Sequence, residues 1–94
     1  MKLVPVKQAQ AKLFNARADK GLKSLTLLTF KKDRSLTLKR SEDGESWTLA
    51  EDGFLTESVA VPAGTAGKRL LKDAFNREFP RSANAYLAEV RRSA

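Results

Sequence analysis

The chain of 94 residues has no cysteine, no histidine, and only one tryptophan, one tyrosine and one methionine. Without cysteine there are neither disulfides nor thiolate metal sites, which fits a reducing cytoplasm. Without histidine or cysteine, the usual general base near neutral pH, the commonest metal ligand and the thiol nucleophile are all missing. An enzyme would have to work with carboxylates, Lys, Tyr or Ser. The acids crowd into Glu42-Asp43-Gly44-Glu45 and Glu51-Asp52-Gly53, which have the composition of turns. No catalytic residue, metal ligand or cofactor is therefore expected. Long apolar runs are lacking too. Met1 to Val6 has no signal-peptide core, and Leu25 to Phe30, the longest apolar cluster, is broken by Thr26 and Thr29. The chain reads as one soluble, non-enzymatic domain of the cytoplasm.

Bases are absent from one stretch only. Residues 41–66 hold six acids and no Lys or Arg, whereas residues 1–40 carry 11 bases against two acids and residues 67–94 carry seven against three. The chain as a whole has a net charge of +7. Charge segregated this way builds a directional field that attracts polyanions at long range. The acidic block admits three roles: pairing with the protein's own basic strands, repelling nucleic acid from one edge, or docking a basic partner.

Val6 to Asp19 reads as a first helix, with Pro5 suited to its start and Gly21 to its stop. Its apolar stripe is thin, mainly Val6, Ala9, Leu13, Phe14 and Ala16, which suggests weak docking or a partner other than its own core. From Ser24 the period changes to two, and Leu25–Phe30, Ser35–Arg40, Ser46–Ala50 and Phe54–Val61 read as strands. Asp43-Gly44 is a hairpin signal. Turning there sets Leu38 opposite Leu49, Lys39 opposite Thr48 and Arg40 opposite Trp47. One face then collects Leu36, Leu38, Trp47 and Leu49, while Ser35, Thr37, Lys39, Ser46 and Thr48 stay wet. The crowding of Leu25, Leu27, Leu28 and Phe30 suggests a first strand covered on both faces. A second helix runs from about Ala66 to Phe79 with Thr65 as its cap, burying Leu70, Leu71, Ala74, Phe75 and Phe79. Residues 82–94 read either as a short helix capped by Ser82 or, over Tyr86 to Val90, as an edge strand. The expected architecture is α+β: a four-stranded antiparallel meander packed on an amphipathic helix, in the order α-β-β-β-β-α.

Candidate contacts for a polyanion are basic. Lys31-Lys32-Asp33-Arg34 makes a basic hairpin tip, with Lys39 and Arg40 following and Lys20 and Lys23 preceding the first strand. Solvated lysines that guard a strand edge explain the same tip. Phe30, beside the tip, is the candidate for stacking on a base, whereas Trp47 belongs to the core with Arg40 over its ring. Arg77 and Arg81 flank the end of the second helix, where the helix dipole alone accounts for them and phosphate contact is the second reading. Arg91 and Arg92 offer a basic tail. Gly64-Thr65-Ala66-Gly67-Lys68 fails as a phosphate loop, since its glycines are too close and Arg69 stands where Ser or Thr is required.

The order of four antiparallel strands followed by an amphipathic helix resembles that of the positive-cofactor and Whirly-like single-stranded DNA binders. A helix before the strands and one after also resembles the double-stranded RNA-binding domain, although Gly67-Lys68-Arg69-Leu70-Leu71-Lys72 lacks that family's lysine-rich helix entry. The paired aromatics of an RNA-recognition motif are missing. These resemblances are ones of element order; the charge blocks and the basic hairpin point to a small domain that binds single-stranded or structured nucleic acid through phosphate contacts from the hairpin and the wet strand face. The other reading is a protein-interaction module or small inhibitor that docks through its acidic and basic edges. A homodimer through the helices or a sheet edge fits both.

Overall fold

The computed structural model describes residues 2–29, 31, 33–53, 56–79 and 83–91. Its elements are β1 (Lys2–Pro5), α1 (Val6–Asn15), β2 (Leu22–Thr29), β3 (Ser35–Arg40), β4 (Trp47–Asp52), β5 (Thr56–Val61), α2 (Gly64–Glu78) and β6 (Asn84–Arg91). All six strands join one antiparallel sheet in the order β1-β6-β2-β3-β4-β5. The expected α-β-β-β-β-α order is therefore corrected to β-α-β-β-β-β-α-β. The meander itself is present as β2 to β5. What overturns the expectation lies at the two ends of the chain. Lys2 to Pro5 forms a strand, and residues 84–91 form neither a helix nor an edge strand but an inner one, between β1 and β2.

The hairpin register is the one that Asp43-Gly44 dictates. Leu38 pairs with Leu49, Lys39 with Thr48 and Arg40 with Trp47. Gly44 takes φ 78°, a left-handed conformation that its missing Cβ permits. Alternation then sends Leu25, Leu27, Leu36, Leu38, Trp47 and Leu49 to one face, where they are buried with Leu87 and Ala85 of β6. Leu28 points the other way and stays half-exposed, so β2 is covered on one face only.

Both helices lie on the buried face. α2 contributes Leu71, Ala74, Phe75 and Phe79, and α1 contributes Ala9 and Leu13, followed by Ala16 in a 3₁₀ turn. Phe14 meets Phe75 edge-on, with ring centroids 6.3 Å apart. The thin stripe of α1 thus docks on the protein's own core, because alanines at Ala9 and Ala16 let the helix approach closely. Thr65 is not the cap of α2: Ala63 holds that position with no side-chain bond to the helix. The Arg17 guanidinium ties the entry down instead, donating to the carbonyl oxygens of Pro62 (2.9 Å) and Gly64 (3.2 Å). No helix among the described residues is long and apolar enough to cross a membrane.

Candidate nucleic-acid interface

The loop between β2 and β3 is closed by its own polar groups. The Thr29 N–H donates to the Arg34 carbonyl (3.0 Å) and the Thr29 hydroxyl to the Asp33 carboxylate (2.8 Å). That hydroxyl bond, reinforced by the charges of Arg34 and Lys31, holds the Asp33 carboxyl below its usual range. Lys31 is exposed and Arg34 half-buried beside it. Phe30 and Lys32, the other candidates at this tip, lie outside the described residues.

Lys39 and Arg40 do not extend the tip. They sit at the far end of β3, about 17 Å from Arg34 at the rise of an antiparallel strand. There Lys39 pairs with Ser24, next to the exposed Lys23. Arg40 is fully committed within the protein. Its guanidinium lies 4.3 Å from the Trp47 ring centroid and donates to the carbonyls of Leu22 (2.9 Å), Gly44 (3.0 Å) and Asp19 (2.8 Å). It fastens the β3–β4 turn to the start of β2 and contributes no free charge. Trp47, 7 % exposed, is closed to bases.

Arg77 is engaged as well, though not in the manner its place near a helix C-terminus suggests. It grips Glu51 of β4 through two parallel bonds, Nε to Oε2 at 2.8 Å and Nη2 to Oε1 at 2.7 Å. This grip pushes the Glu51 carboxyl below its usual range and raises Arg77, and a hydrogen bond with the Glu78 carboxyl adds to the depression of Glu51. Both acids are deeply buried, Glu51 at 3 % and Glu78 at 1 % exposure. One member of the acidic block therefore does pair with the protein's own base. Arg81 lies outside the described residues, as does Arg92. Arg91 belongs to β6, bridging Asp19 (3.0 Å) and Glu89 (2.9 Å), with Lys12 3.8 Å from Glu89. This network rims a hollow of about 440 Å³ between α1 and the sheet.

Besides Lys23 and Lys39, the fold brings cations with free charge together on α2. Lys68, Arg69 and Lys72 are exposed, and none forms an ion pair with another described residue. With Thr65 they line a shallow hollow of about 260 Å³, and Arg69 continues into a second of about 330 Å³ that reaches Arg77. α2 carries this line toward the hairpin tip. A Cβ at Gly53 would stand 2.5 Å from Glu78 Oε1 and 2.7 Å from Arg34 Cγ, so the end of α2 and the base of the tip converge there. The helix and the tip thus share one side of the molecule, and the wet strand face is the other. The signal for this was the basic triplet on the polar side of an amphipathic helix, overlooked beside the denser tip. No known protein family, curated protein or solved structure matches the chain.

Proposed function

We propose that this protein is a small non-enzymatic domain that binds single-stranded or structured nucleic acid by its phosphates. The contact runs along α2 and onto the β2–β3 tip: Lys68, Arg69 and Lys72 engage the backbone, and Lys31 and Arg34 extend the track. The observation that carries the reading is the unmatched charge of Lys68, Arg69 and Lys72 on one outward surface. Arg17, Arg40, Arg77 and Arg91 are engaged within the protein, whereas this group is held on a rigid helix and left open, as Lys31 is at the tip. The wet strand face is assigned no part in phosphate contact, since Asp52 shares its rows with Lys39. Binding of this kind is set by charge and backbone geometry rather than by base identity.

Fluorescence anisotropy with labelled single-stranded DNA, single-stranded RNA and duplex tests the reading. Five phosphate contacts on a single strand imply an affinity loss of about a hundredfold between about 50 and 200 mM salt. Replacing Lys68 and Lys72 together by Glu is expected to abolish binding while the circular dichroism spectrum stays unchanged. A folded double variant with native affinity sinks the proposal.

A further inference from the structure

The uncovered face of the sheet is organised in three transverse rows. At one end, Leu3, Tyr86, Leu28, Ser35, Asp52 and Thr56 stand side by side across β1, β6, β2, β3, β4 and β5. The middle row is Ala88, Thr26, Thr37, Ala50 and Ser58, and the row at the other end is Val90, Ser24, Lys39, Thr48 and Ala60. Large apolar side chains are confined to the outer rows, where Leu3 is 44 % and Val90 52 % exposed. Every residue of the middle row is small. Lys39 and Asp52 are the charged residues of these rows, although the chain carries a net +7.

We propose that this face packs against the same face of a second copy, with the two-fold axis lying along the middle row. Three features of the face select that occupant over nucleic acid. First, a rotation about this axis lays each strand on its own counterpart and exchanges the two outer rows. Tyr86 then meets Val90 of the second copy, and the small middle rows meet each other, letting the sheets approach to the roughly 10 Å of a β-sandwich. Second, the two charges of these rows become complementary. Lys39 of one copy falls over Ser35 of the other, one strand from its Asp52, and symmetry repeats the pair at the opposite end. Third, six strands about 4.8 Å apart and mostly six to eight residues long give the open face a footprint of roughly 600 Å², at the low end of what one partner buries in a specific interface. The basic α2 surfaces point outward on both copies, so their like charges are kept apart.

Sedimentation equilibrium over a range of concentrations tests this directly, and it does so independently of nucleic-acid binding. The expected mass is twice the 10.4 kDa of the chain, with little dependence on salt. Thr37→Arg brings two guanidinium groups together at the axis, so it should give a monomer with native circular dichroism. Lys39→Asp should weaken the dimer, and adding Asp52→Lys to it should restore the association. A wild-type chain that stays monomeric at about 0.1 mM, or a dimer indifferent to Thr37→Arg, overturns the proposal. So does a monomer whose nucleic-acid affinity falls on Thr37→Arg, which would hand this face to nucleic acid.

Discussion

Arg77 and Arg40 show how one residue type is put to different uses by what surrounds it. Arg77 neutralises Glu51, an acid buried at 3 % exposure that no other described base reaches. Arg77→Ala leaves that carboxylate in the interior without its partner, and is expected to cost about 2–3 kcal/mol at pH 7. The pH dependence has a definite sign. The folded Glu51 ionises more readily than in the unfolded chain, so its contribution is complete above the unfolded value, near 4.3. It is lost as pH falls through the lower folded value. Urea denaturation of both proteins should therefore show a gap at pH 7 that narrows below pH ~4. An unchanged gap would mean that the pair contributes through packing alone. Arg40 was legible from sequence as a lid over Trp47, because the Asp43-Gly44 turn sets the two opposite each other. Its carbonyl partners were not, since Asp19 lies before β2 and Leu22 at its first position, and only the finished sheet brings them near.

At the scale of elements, the meander was readable and its flanks were not, for a local reason. In β3 and β4, Leu36, Leu38, Trp47 and Leu49 alternate cleanly between a basic turn and an acidic one. In β6 the inward residues Ala85 and Leu87 also alternate, but Tyr86 and Val90 are spaced as on a helix, so the pattern supports either reading. β1 is four residues long and runs straight into α1, too short for a period to declare itself. The basic triplet of α2 was visible as a polar helix side. Its freedom from partners was not, because that depends on where every acid ends up. The position of β6 gives a sharp expectation. β1 pairs with no strand but β6, so deleting residues 84–91 also releases β1 and uncovers Leu25 and Leu27. Such a truncation should be unfolded by circular dichroism and show no dispersed amide spectrum. A terminal helix or an edge strand, as the sequence reads residues 82–94, would leave a folded meander on removal.

For the molecule as a whole, the charge blocks of the sequence become sides of a solid. Free bases lie on the helix layer and the hairpin tip, and the broad sheet face is close to neutral. A ligand that binds only the folded chain stabilises it by mass action. A single-stranded oligonucleotide at a hundred times its dissociation constant should add about 2.7 kcal/mol. For a domain of this size that is a rise in melting temperature of about 10 °C. Scanning fluorimetry should register this shift at low salt, lose it at high salt, and lose it for the Lys68→Glu/Lys72→Glu variant at any salt. The inner position of β6 matters during synthesis as well. Until residue 91 has cleared the ribosomal exit tunnel, β1 has no partner strand and the β2 edge stays uncapped. Both strands then present unpaired backbone groups to any extended chain nearby. β6 closes both edges at once, which makes the docking of this one strand a determinant of how much of the protein reaches its native form.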